Sequence, residues 1–139
     1  MATAVLYTPE VLGLATSLAA YPWDESLPLK GEARSKSCGS TIALGLGTDA
    51  AGRIERIGLK SSACAIGQAA AAIFAGAASG KGAQDIAAAE QALTAWLAGA
   101  GPLPDWPGLK TIAAARDYPA RHGAIMLAWQ AARQLLPTD

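Results

Sequence analysis

The chain is poor in the residues that do most metal and nucleophilic chemistry. Its 139 residues include two cysteines, one histidine and two methionines. Neither sign of charge is in excess: 11 Lys and Arg balance 11 Asp and Glu. The basic residues form no run, so the electrostatic footprint of a nucleic-acid or anionic-membrane surface is missing. No apolar stretch reaches the roughly 18 to 20 residues that cross a bilayer. The start, MATAVLYTPEV, lacks the basic region and long apolar core of a secretory signal, so a cytoplasmic location is expected. In a reducing compartment two cysteines read as buried, reactive or metal-binding rather than disulfide-bonded. No GxSxG elbow, P-loop or GxGxxG is present, and Asp49, Glu55 and Glu90 have no spacing that nominates an acid/base pair. No catalytic residue is assigned and an enzyme is not expected.

What is present is alanine and glycine. The composition is 52% hydrophobic, but only one Phe, three Tyr and four Trp supply aromatic bulk. Alanine favours helix, and the length suits a single domain spanning residues 1–139. TPEVLGLATSLAAYP predicts a first helix, with Thr8 as N-cap and Pro9 and Glu10 in its first turn. Residues 21–31, with prolines at 22 and 28, read as a loop. The period then changes to two. GEARSKS reads as a strand before Cys38, and Ile42, Leu44 and Leu46 share one face of a second, with small residues on the other. TDAAGR is a turn and Arg53 to Lys60 a third strand. Ile54 is out of phase with Ile57 and Leu59, which predicts a bulge near Glu55–Arg56. The short connections make the sheet antiparallel.

From Ser62 onward the pattern is helical. One helix runs to Gly80 and another to Gly99; GLKTIAAARD is a short helix, and Asp117 is the expected N-cap of the last. The fold class is therefore α+β: a small three-stranded antiparallel sheet packed against about five helices.

The rare residues fall at informative places. Cys64 sits where a helix begins, and unpaired N–H groups at a helix mouth favour a thiolate. Cys38 precedes Gly39, so the backbone there can turn sharply. One hairpin separates the two, which can bring both thiols to the same end of the sheet. A free cysteine also serves often as a small buried hydrophobe. His122 falls in the first turn of the last helix and, with two thiolates, makes a candidate third ligand for zinc or iron. The Ser40 hydroxyl is a weaker candidate at the same place.

The segments LYTPEVLGLA, KSCGSTIALGLGTDAAGRIERIGLKSSACAIGQAAAAI and YPARHGAIMLAWQAA resemble the U-type iron–sulfur cluster assembly scaffolds over about residues 6 to 136. Cys38–Gly39 matches the start of that family's CGD motif. Cys64, Ile66 and Ala69 match its G-C-x-I-x-x-A helix start, and Gly80–Lys81 a following G–K pair. The resemblance implies an α+β fold and a site where three cysteines plus Asp or His hold zinc, iron or a nascent [2Fe–2S] cluster; this chain offers Cys38 and Cys64 to it, with His122 and Ser40 as the candidate further metal ligands. It also implies sulfur delivery by a cysteine desulfurase, with recipient apo-proteins as the expected takers of the cargo. A homodimer is a further option, in which two chains supply four thiolates to one bridging cluster. The chain departs from the family pattern at Ser40, where the motif has Asp, and at Ala124, where one branch has its third cysteine. His122 is one position off the histidine of the other branch. The alternative is an interaction protein of the same fold that binds a desulfurase or another partner without a cluster.

Overall fold

A computed structural model describes residues 6–36 and 39–138. Among them the order is α1 (Pro9–Ser17), β1 (Leu29–Arg34), β2 (Thr41–Thr48), β3 (Ile54–Ser62), α2 (Ala65–Ala77), α3 (Ala83–Leu97) and α4 (His122–Leu135). Short 3₁₀ segments cover Leu18–Ala20, Leu109–Asp117 and Pro119–Arg121. The sheet is antiparallel, in the order β1-β2-β3. The α+β expectation is met.

Local chemistry accounts for most boundaries. The Val11 amide donates to Thr8 Oγ1 at 3.1 Å, capping α1 as its sequence implies. The β2–β3 turn is held by Asp49 Oδ1, which accepts from the Ala51 and Arg53 amides at 2.9 Å each. Gly52 takes φ +80° there, a conformation only glycine enters cheaply. Gly47 faces Arg56 and Thr48 faces Ile54, so Glu55 is the extra residue of a bulge, where the parity change puts it. β1 begins at Leu29, two residues earlier than its sequence suggests. α2 ends at Ala77, before Gly80. α4 begins at His122 rather than at Tyr118, and Asp117 closes a 3₁₀ segment instead of capping it. The cause is Pro119, which keeps Tyr118 out of helical geometry, at φ −120° and ψ 84°.

The two faces of the sheet are filled differently. Ile42, Leu44 and Leu46 point into the core, where α4 packs across β1 and β2. α2 is buried along nearly its whole length, between α1 on one side and α4 on another, which suits a helix apolar all round. Its Phe74 forms a three-ring cluster with Trp106 and Trp129, at centroid separations of 5.4 to 5.6 Å. The Trp106 indole donates to the Ile73 carbonyl at 2.8 Å. On the other face the 22–28 segment crosses the sheet and inserts Leu27, 2% exposed, over Gly45 and Gly58. The small residues of that face thus serve close packing. A Cβ on Gly58 would stand 2.6 Å from the Pro22 carbonyl oxygen and 3.1 Å from Leu27 Cδ1.

The strap carries its own polar network. Asp24 accepts from the Ser26 hydroxyl and amide, which hold its carboxyl below the usual range. Glu25 accepts from the Trp23 indole at 2.7 Å and from Lys30 at 3.0 Å, which lower its pKa in that order of importance.

Two outcomes follow from the strap. Gly58→Ala destabilises the fold by about 1–3 kcal/mol, because backbone rather than a flexible tip must move. Chemical denaturation checks this, and unchanged stability would contradict the packing described. A carboxyl whose pKa is lower in the folded state adds stability at high pH and loses it as pH falls. Glu25 contributes fully above its ordinary value of 4.5 and loses that contribution as pH drops through its lower folded value. Glu25→Gln should flatten the decline in stability below about pH 4.5 in urea melts across pH; identical acid limbs in both proteins would refute it.

Candidate functional site

Antiparallel pairing sets the site's location. Thr41 opens β2 and faces Ser62, which closes β3. The residues before Thr41 and after Ser62 therefore emerge at one end of the sheet. Before Thr41, the β1–β2 turn is closed by the Ser35 amide donating to the Ser40 carbonyl at 2.8 Å and by the Gly39 amide donating to the Ser35 carbonyl at 3.1 Å. Gly39 takes φ +72°, the sharp turn its position next to Cys38 suggested. Ser35 and Ser40 are both buried. Cys38 itself lies outside the described residues.

After Ser62 the chain passes through Ala63 to Cys64, which takes the N-cap position of α2 with φ −65° and ψ 169°. Its carbonyl accepts the Gln68 amide at 2.9 Å, while its side chain makes no capping hydrogen bond. The thiol is half-buried against the core and is not in a disulfide. Ser40 and Cys64 thus flank the same sheet end.

α4 closes this end from below. A Cβ on Gly67, one turn into α2, would meet the Ala63 Cβ at 2.8 Å and the Ala124 Cβ at 3.1 Å. Glycine at 67 lets the α2 mouth and the start of α4 touch. Ala124, the position matching the third cysteine of the resembling family, therefore borders the Cys64 turn with a methyl group and no ligand.

His122 is placed elsewhere. It lies two residues before Ala124, about 200° away around the helix. Its Nε2 is 2.6 Å from the Arg116 carbonyl oxygen. A carbonyl only accepts, so Nε2 is the donor in this contact. The ring lines a surface depression of about 330 Å³ with Thr94, Leu97, Ala98, Met126 and Gln130, on the α3 side of α4. Among the described residues no three His, Cys, Asp or Glu side chains gather closely enough to hold a metal ion.

One feature beside the site escaped the sequence reading. The solvent face of the sheet next to Ser40 holds a dish of about 500 Å³, with Arg34, Thr41 and Ser62 in one cross-strand row and Glu32, Ala43 and Lys60 in the next. Period-two alternation in all three strands is the signal that would have found it. No helix among the described residues is long and apolar enough to span a membrane.

The chain matches no protein-family model and no curated protein sequence. Its fold is shared with solved structures. The N-terminal part of a nitrogen-fixing NifU-like protein from Brucella abortus superposes with a TM-score of 0.84 at 27% identity, covering 94% of this chain and 91% of the other. A protein from the thermophile Fervidobacterium islandicum AW-1, assigned as an iron–sulfur cluster assembly scaffold for the SUF system, also gives 0.84, at 17% identity and coverages of 96% and 98%. A hypothetical protein gives 0.66 at 19% identity, covering 90% and 95%.

Proposed function

This chain has the fold of the U-type iron–sulfur cluster assembly scaffolds, and from that premise we propose that it holds iron, or a transient [2Fe–2S] cluster, as cargo between Cys38 and Cys64. The observation that supports the reading is the Thr41–Ser62 pairing, which sets the turn after β1 and the mouth of α2 at one end of the sheet. Thiolates bind soft and borderline metals at about 2.3 Å, and the Cys64 side chain is not tied up as a helix cap. Zinc is the alternative occupant of the same thiolates. The protein contributes ligands and shape and needs no catalytic residue of its own.

The rest of the ligand set explains why such cargo would be held loosely. Ala124 offers a methyl group beside Cys64 and Ser40 a hydroxyl, a poor ligand for iron. His122 would have to leave the Arg116 carbonyl, or offer Nδ1 from the far side of α4, to join. Fewer protein ligands leave open coordination positions, which suits a cargo taken from a cysteine desulfurase and passed to recipient apo-proteins. A second reading is favoured by the same departures. The chain would then be a cluster-free interaction protein of this fold that binds a desulfurase.

The test is anaerobic reconstitution with iron, sulfide and a reductant, read by visible absorption and metal analysis. Cys64→Ser and Cys38→Ser should each lower bound iron at least tenfold, while His122→Ala should keep most of it. Absence of bound metal in the unaltered chain, with desulfurase binding that survives both cysteine substitutions together, would establish the second reading instead. Equal loss in all three variants would show that His122 is a full ligand.

A further inference from the structure

β1 stands at the edge of the sheet and, among the described residues, pairs only with β2. Its sequence, LKGEAR, sets exposed Lys30, Glu32 and Arg34 on the solvent face, with half-buried Leu29, Gly31 and Ala33 on the core face. Edge strands usually carry charge to repel other strands. Here the charges alternate in sign along one face, and such an arrangement can complement itself.

A two-fold symmetric contact places residue i against residue j and j against i. Antiparallel pairing of β1 with β1 of a second copy, with both sets of helices on one face, allows only registers in which some residue opposes itself. With Glu32 opposite Glu32, the other facing pairs are Lys30 with Arg34, so every charged contact is repulsive. With Ala33 opposite Ala33, Glu32 faces Arg34 twice, but Gly31 faces polar Ser35. With Gly31 opposite Gly31, Lys30 faces Glu32 twice, and on the core side Leu29 faces Ala33 twice.

A second feature favours the last register. Half-buried Leu135, from the end of α4, lies over Gly31: a Cβ there would stand 2.9 Å from Leu135 Cδ2. The dyad would thus bring two Leu135 side chains beside two Leu29–Ala33 pairs, an apolar seam under a row of opposite charges. The groove below Glu32 and Arg34, about 620 Å³ and bounded by Arg133 and Pro137, is open rather than filled by the C-terminal segment.

We propose that β1 is a self-association edge, through which two copies join antiparallel with Gly31 opposite Gly31 into one six-stranded sheet. Lys30 already meets Glu25 of its own chain at 3.0 Å, an exposed pair of small worth, so its ammonium can also reach Glu32 of the second copy. The arrangement keeps the candidate metal sites apart. Ser35 is four residues from Gly31, so the two 35–40 turns lie roughly 27 Å from each other on opposite sides of the dyad. The two copies do not share one cluster, and the association does not depend on the cysteines.

Sedimentation equilibrium on the reduced full chain tests this, with Cys38→Ser and Cys64→Ser in place and Glu25→Gln throughout, so that Lys30→Glu creates no repulsion within one chain. A dimer with a dissociation constant on the order of 10 to 100 μM is expected, as befits a small interface. Lys30→Glu alone and Glu32→Lys alone should each weaken it about tenfold, since each places like charges opposite one another twice. The double swap should restore it. A chain that stays monomeric at about 1 mM overturns the proposal. So does a dimer indifferent to both single substitutions, or one not regained in the double variant. Each of these results leaves the cluster reading where its own metal analysis puts it.

Discussion

The facing of Thr41 and Ser62 across β2 and β3 is the constraint on which the functional reading depends. An antiparallel hairpin returns the chain to where it started, so a turn before its first strand and a helix after its second emerge side by side. That geometry places Ser40 and Cys64 at one end of the sheet although 24 positions separate them in sequence. The register is held at the other end by the Asp49 turn and by the bulge at Glu55. A one-residue slip would turn Ile42, Leu44 and Leu46 away from the core.

Small residues let the layers approach around this hairpin. Gly45 and Gly58 admit Leu27 of the crossing strap, Gly31 admits Leu135, and Gly67 admits Ala124. With few large side chains available, the fold concentrates aromatic bulk in the Phe74–Trp106–Trp129 cluster and fills the remaining layers by close backbone approach. The Gly67 contact bears most directly on the proposed site, because it seats the Cys64 turn against the start of α4. It also fixes what Ala124 presents to the site, a methyl group.

Much of the fold was legible because its signals are local. The cap at Thr8, the Asp49 turn, the strand alternation and the Glu55 bulge each follow from neighbours within a few residues. The placement of Cys64 at a helix mouth was legible for the same reason. The last helix begins at His122, and only the weight given to Pro119 over Asp117 would have placed it there. The strap was read only as a loop, because Leu27 on Gly45 and Gly58 is a contact between distant segments. The orientation of His122 depends on the Arg116 carbonyl, which belongs to a 3₁₀ segment with no strong signature. Likewise, alternation puts Gly45 on the second sheet face but carries no signal for the distant segment that covers it.

The account stands on the two cysteines meeting at one rim of the molecule. The direct measurement is intramolecular bridging of the reduced, dilute chain by dibromobimane, which fluoresces strongly only after joining two neighbouring thiols. The account predicts rapid fluorescence from a single-chain product, lost in Cys38→Ser and in Cys64→Ser. Both thiols reacting fully with a monofunctional reagent while giving no bridged product would contradict it.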